Sequence, residues 1–181
     1  MQMNLPNKIT LFRVFLIPIF LIVLIGGFIP SPLNRYIAVG IFIVASLSDT
    51  LDGYIARKKN LITNFGKFMD PLADKLLVSA AMIAMVEMGD LPSWVVIIII
   101  SREFVITGFR TLAAEANIII AAGWWGKIKT TIQMIMIIFL LLNFQGFIAE
   151  SISGILIILA TIFTIISGVD YIIKNIEVLK G

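Results

Sequence analysis

The sequence predicts an all-α protein, an integral membrane bundle of six transmembrane helices with both termini cytoplasmic. Three observations predict it. Of the 181 residues, 60% are hydrophobic and only 14% are charged, with a mean hydropathy of +1.06. A soluble domain of this size cannot hide that much apolar side chain. Six segments approach the ~20 apolar residues that a helix needs to cross a bilayer. Finally, thirteen of the 14 basic residues fall on one side of the topology those segments imply.

The first segment, Ile9–Phe28, follows Lys8 and carries Arg13. It is too long for the apolar part of a signal peptide and ends in Gly26-Gly27-Phe28-Ile29-Pro30 without a small-x-small cleavage site, so it reads as a retained helix. Pro30-Ser31-Pro32 separates it from the second, Asn34–Arg57. Asn60–Gly66 leads into the third, Phe68–Met88, and Gly89-Asp90-Leu91 into the fourth, Pro92–Ala113. The stretch Asn117–Gly123 precedes the fifth, Gly126–Phe144, with Trp124 and Trp125 expected at headgroup level. Asn143–Gly146 precedes the sixth, Ser151–Ile173. Gly, Pro and Asn mark these breaks as turns. Without a long linker, low-complexity tail or repeat, residues 1–181 read as a single domain.

Basic residues favour the cytoplasmic side of a membrane protein. With the N-terminus inside, the inner side holds Lys8, Arg13, Arg57, Lys58, Lys59, Lys67, Lys75, Arg102, Arg110, Lys127, Lys129, Lys174 and Lys180, and the outer side only Arg35. An even number of spans follows. The same topology puts Asp49, Asp52, Asp70, Asp74, Arg102, Glu103 and Arg110 in one polar layer within the inner leaflet.

There is no cysteine and no histidine, which excludes disulfides, thiolate metal sites and imidazole chemistry. Acid–base work and metal ligation therefore fall to carboxylates. Asp49 and Asp52 (i, i+3) share a helix face that Ala56 continues, and Asp70 and Asp74 (i, i+4) share a face on the next helix. Four anions brought close repel one another, and hard divalent cations relieve that repulsion; all-oxygen ligation suits Mg²⁺ or Mn²⁺. Gly53 and Ala56 remove side-chain bulk, and Arg57 offers a planar fork for phosphate. This set points to phosphoryl or phosphatidyl transfer. Solvated helix ends, or structural ion pairs with Arg57, Lys67 or Lys75, are the alternative for any single aspartate.

The run Asp49-x2-Asp52-Gly53-x2-Ala56-Arg57-x8-Gly66-x3-Asp70-x3-Asp74 resembles the full signature of the CDP-alcohol phosphotransferase family, without departure. The resemblance implies a six-helix enzyme, usually a homodimer, with a two-metal site in the cytoplasmic leaflet of a bacterial plasma membrane. It implies that Asp49, Asp52, Asp70 and Asp74 ligate Mg²⁺ or Mn²⁺, and that Asp74 is also the general base. Gly53, Ala56, Arg57 and Gly66 would line the pocket for the CDP-linked lipid.

Three further blocks resemble the family's bacterial phosphatidylglycerophosphate synthases. Asn7-x2-Thr10-x2-Arg13 opens the first helix. Asn7 is expected to cap it, with Asn7 and Thr10 on the CDP-lipid side and Arg13 facing the acceptor phosphate. In Ser101-Arg102-Glu103-Phe104-x2-Thr107-Gly108-x-Arg110, Glu103, Thr107 and Arg110 make one stripe while Arg102 points elsewhere. Arg110, oriented or neutralised by Glu103, is favoured over Arg102 as acceptor ligand. In Gly126-Lys127-x-Lys129-Thr130-x2-Gln133, Lys127 and Lys129 lie on nearly opposite faces. One reaches the acceptor phosphate; the other faces anionic phospholipid headgroups.

A site of Arg and Lys suits an anionic alcohol, so the resemblance implies CDP-diacylglycerol and glycerol 3-phosphate as substrates; nucleic acid is not an expected partner. Rival readings are another acceptor (inositol phosphate, phosphatidylglycerol or serine) and, from another class, a divalent-cation transporter. The outer halves of the helices are almost pure Ile, Leu, Val and Met, which leaves a transporter no polar path across. An aspartate-rich prenyltransferase would need a second acidic cluster, which the chain lacks.

Overall fold

Turn chemistry sets where each helix begins and ends. The computed structural model describes the backbone of residues 4–58, 64–115, 118, 120 and 123–176, and their side chains except at 5, 49–57, 64, 65, 67, 68, 70, 71 and 115. Among the described residues there are six helices and no strand: α1 (Leu5–Ile25), α2 (Leu33–Lys58), α3 (Asn64–Glu87), α4 (Ser93–Glu115), α5 (Trp124–Leu142) and α6 (Phe147–Lys174). Asn4 caps α1, its side chain accepting from the Asn7 backbone N–H at 3.2 Å. The expectation that Asn7 is the cap is thus corrected. Pro6 sits in the first turn of α1, where its missing N–H costs nothing. At the far end, the Gly26 N–H closes α1 on the Ile22 carbonyl at 3.0 Å, and a Cβ at Gly26 would lie 2.3 Å from that oxygen. Asn34 Nδ2 then reaches back to the Leu24 carbonyl at 2.9 Å, tying the start of α2 to the end of α1.

The chain divides into two units, Met1–Met88 and Gly89–Gly181. In the first, α1 packs on both α2 and α3, and α2 touches α3. Phe20 and Phe42 are fully buried with ring centroids 6.2 Å apart. Ala38 and Ala45 on α2, with Ala73, Ala81 and Ala84 on α3, are buried as well. Small residues let apolar helices approach closely, and in lipid it is this close contact, rather than water exclusion, that holds them together.

In the second unit α6 packs against both α4 and α5. Its buried face is Ala160, Thr161, Thr164, Ser167, Gly168 and Tyr171. The hydroxyls there return to their own helix: Thr161 donates to the Ile157 carbonyl at 2.8 Å, Thr164 to Ala160 at 2.6 Å and Ser167 to Thr164 at 3.1 Å. Polar but small, this face needs no outside partner for these groups. Ile106, Phe109 and Tyr171 form a cluster closed by Ile120 and Ile172, with Phe109 edge-on to Tyr171.

Large apolar side chains also point outward at helical spacing, as in Phe12, Phe15, Ile19 and Ile22 of α1 and Ile155, Ile158, Ile162 and Ile165 of α6. Among the described residues, Pro6–Ile25, Trp124–Leu142 and Phe147–Lys174 are long and apolar enough to cross a membrane, and Leu33–Ser48 is a shorter apolar helical stretch. The sequence predicts six such spans; length and composition single out three. In α4 the difference has a physical origin, since Arg102, Glu103 and Arg110 fall within its length; parts of α2 and α3 lie outside the described residues.

The cap gives a stability prediction. Asn4→Ala removes about 1 kcal/mol, lowering the melting midpoint of the detergent-solubilised protein by about 2–4 °C. Asn4→Asp preserves the midpoint. Scanning fluorimetry reads both, and equal midpoints for Ala and Asp would place no weight on the cap.

Candidate active site

Two helices carry the acidic signature at fixed phase. On α2, Asp49 and Asp52 leave the axis about 60° apart; on α3, Asp70 and Asp74 leave it about 40° apart. The two helices are in contact within one unit. The donor set is all carboxylate, two on each helix, and its chemistry fits a hard divalent cation. The backbone at Asp49, Asp52, Gly53, Ala56, Arg57 and Asp70 is helical; their side chains lie outside the described residues. Asp74 is described and exposed on α3, and Gly66 is buried on the same helix. Among the described residues no three acids gather into a metal-binding group.

Helix α1 presents its polar residues inward. Asn7 is 7% exposed, and Thr10 and Arg13 are both fully buried. The Thr10 hydroxyl donates to the Pro6 carbonyl at 3.2 Å. Arg13 Nε donates to Ser48 Oγ at 3.4 Å, and that hydroxyl donates onward to the Ala45 carbonyl at 2.7 Å. Because the Ser48 proton is committed to Ala45, its lone pairs face Arg13. Ser48 immediately precedes Asp49, so this contact docks a buried guanidinium beside the first residue of the acidic signature. Ser48 has no chemical motif of its own, and only the meeting of α1 and α2 gives it away.

The second unit holds Arg102, Arg110, Lys127 and Lys129. Glu103 accepts from Arg102 Nη1 at 3.2 Å and also from Lys129 Nζ, joining α4 to α5. The Lys129 side chain is 2% exposed and that of Arg102 14%. Gln133, one turn beyond Lys129, is buried too. Thr107 spends its hydroxyl on the Glu103 carbonyl at 2.6 Å.

The expectation that Glu103 orients Arg110 is replaced by a different pairing. Arg110 is exposed, its Nε donates to the Tyr171 hydroxyl at 3.3 Å, and its guanidinium lies 5.7 Å from that ring's centroid. Seven residues of helix separate Glu103 from Arg110 by about 10.5 Å along the axis. Lys129 of the neighbouring helix is nearer. The two lysines part as their opposite faces require: Lys129 is buried, while Lys127 is exposed beside the Trp124 ring at 6.0 Å.

Arg102, set aside on helical phase, turns out to be enclosed. Its Nη2 faces Gly126 of α5, where a Cβ would sit 3.6 Å away, and its Cγ faces Gly168 of α6, where a Cβ would sit 3.2 Å away. The signals for this were two glycines in otherwise bulky helices. Tyr171 and Asp170, the latter paired with Lys174 at 2.7 Å, carried no spacing that sequence reasoning could use.

Comparison with known proteins then gives the lineage of these motifs. A model of the CDP-alcohol phosphatidyltransferase family matches residues 3–166. A protein of Bacillus subtilis (strain 168) named CDP-diacylglycerol–glycerol-3-phosphate 3-phosphatidyltransferase is 47% identical, covering 98% of this chain and 97% of the relative. A protein of the same name from Haemophilus influenzae is 40% identical over 100% of this chain and 96% of its own length. A Mycobacterium tuberculosis protein named probable phosphatidylglycerophosphate synthase is 37% identical over 98% and 84%.

The Glu103 hub predicts a coupled loss. Glu103→Gln takes the carboxylate charge away from the buried Lys129 ammonium and costs about 3 kcal/mol, the lower end of the range for a broken buried pair because Glu103 keeps some exposure. Adding Lys129→Met recovers most of that loss. Thermal midpoints of the two single variants and the double variant measure the coupling, and additive losses would remove the pair from the stability of α4 and α5.

Proposed function

The chain belongs to the CDP-alcohol phosphatidyltransferase family, and from that membership we propose that it transfers the phosphatidyl group of CDP-diacylglycerol to sn-glycerol 3-phosphate. The products are phosphatidylglycerophosphate and CMP, a step toward phosphatidylglycerol and cardiolipin. The observation that carries this reading is the complete eight-residue signature at helical spacing on two contacting helices.

In this reading Asp49, Asp52, Asp70 and Asp74 hold Mg²⁺ or Mn²⁺, which when bound neutralises charge on the pyrophosphate and on departing CMP. Gly53, Ala56 and Gly66 leave room at the backbone for the cytidine diphosphate, and Arg57 meets its phosphate with a two-pronged donor. Asn7 and Thr10 complete the CDP-lipid side. Glycerol 3-phosphate is held through its phosphate by Arg13, Arg110, Lys127 and Lys129, with Lys129 the inward member of the lysine pair. Asp74 takes the proton of the primary hydroxyl as that oxygen bonds to the lipid-bearing phosphorus. The bond from this phosphorus to the bridging oxygen breaks, and CMP leaves with the electron pair. Most of the catalysis is positioning and charge neutralisation, as expected for transfer at phosphorus.

The same reading sets the chain in a bacterial plasma membrane as one domain of six spans, termini and active site facing the cytoplasm, and assembled as a homodimer. The family match runs across both units, which supports one functional domain. Lys127 beside exposed Trp124 and Trp125 suits anionic phospholipid headgroups.

An acceptor screen tests the reaction. Purified protein with CDP-diacylglycerol and Mg²⁺ releases CMP with glycerol 3-phosphate and not with serine. Release with inositol phosphate alone would overturn the choice of acceptor. Asp74→Asn abolishes nearly all turnover while leaving the melting midpoint in place, and robust activity would remove Asp74 as the base. Arg110→Ala raises the apparent KM for glycerol 3-phosphate much more than that for CDP-diacylglycerol; equal rises would make Arg110 structural.

A further inference from the structure

We infer that Arg102 is an acceptor-phosphate ligand, held ready by Glu103 and by the space above two glycines. The inference rests on the transferase reading and adds to it a residue that helical phase had set aside. A guanidinium has five N–H donors and no acceptor. Arg102 directs Nη1 to Glu103, and its Nε is buried without a partner. A buried donor left unsatisfied is costly, more so on a charged group. Such a cost persists in a native structure where a ligand removes it.

The surroundings are built for this side chain. A Cβ at Gly168 would press on its Cγ at 3.2 Å, and one at Gly126 would touch its Nη2 at 3.6 Å. Arg102 and Lys129 both meet the carboxylate of Glu103. An incoming phosphate supplies the acceptor atoms that Arg102 Nε lacks, with a negative charge to strengthen the contact. A neutral alcohol supplies acceptor lone pairs without that charge, so the guanidinium favours an anionic acceptor. Glu103 acts here as a positioning residue. By taking Nη1 it leaves Nε and Nη2, one edge of the guanidinium, for the two-pronged contact that a phosphate accepts.

Kinetics with both substrates, measured on the full-length protein in detergent with Mg²⁺, test the inference. Arg102→Gln raises the KM for glycerol 3-phosphate by about tenfold or more, the loss expected for a charge-assisted hydrogen bond, and leaves the KM for CDP-diacylglycerol within about twofold. Arg102→Lys, which keeps the charge but loses the fork, falls between. Glycerol 3-phosphate raises the melting midpoint of the wild-type protein and does so less for Arg102→Gln. Equal changes in both KM values, or none, would make Arg102 a packing residue and overturn the inference. Should Arg102→Gln fail to fold, Arg102→Lys and Gly168→Ala, the latter pressing on Arg102 Cγ, decide by the same KM split. Wild-type protein that releases no CMP with glycerol 3-phosphate would refute the transferase reading itself, a result distinct from an unchanged variant.

Discussion

A charge inside a bundle of apolar helices survives only where an opposite charge, a polar helix end or a ligand compensates it. Nearly everything specific about this protein follows from that constraint. It gathers the charges of α2, α3 and α4 into short stretches, leaves the outward faces to Ile, Leu and Phe, and ties the buried cations to named partners. Lys129 is enclosed because Glu103 meets it from the neighbouring helix. Arg13 is enclosed where Ser48 turns its lone pairs toward it.

The two arginine sites illustrate different ways of meeting the constraint. Arg110 stays exposed and rests on Tyr171, an aromatic hydroxyl that serves as both acceptor and platform. Such a group can leave its partner for a ligand at little cost, because water replaces what it gives up. Arg102 is enclosed, its Nε unsatisfied, with glycines on two helices making room for it. Burial, rather than charge alone, separates Arg102 from Arg110, and Lys127 and Lys129 divide along the same line.

Much of the architecture was legible from composition and punctuation. The breaks at Pro30–Pro32, Gly89–Pro92 and Asn143–Gly146 fall between helices, since those residues act locally through φ restriction and missing donors, whereas Asn64 and Gly66 of the expected break Asn60–Gly66 already belong to α3. The cap of α1 lies three residues before the expected one because Asn4 and Asn7 are equally good caps in isolation, and the extended backbone at Asn4 decides between them. The acidic signature was legible because its spacing matches the helix repeat, a property of one helix and its neighbour. Glu103 was paired with the wrong arginine because phase along a single helix says nothing about what approaches from the next one.

The sequence by itself determined the helical class, the absence of thiol and imidazole chemistry and, through the signature, the family. These depend on residue type and on spacing along one chain, both of which are written in the sequence. Only the tertiary structure decided which cations are buried, that Glu103 bridges α4 to α5, that Ser48 receives Arg13, and that Gly126 and Gly168 make room for Arg102. Those outcomes depend on side chains meeting across helices, over distances and angles set by packing, and no periodicity within a single helix encodes them.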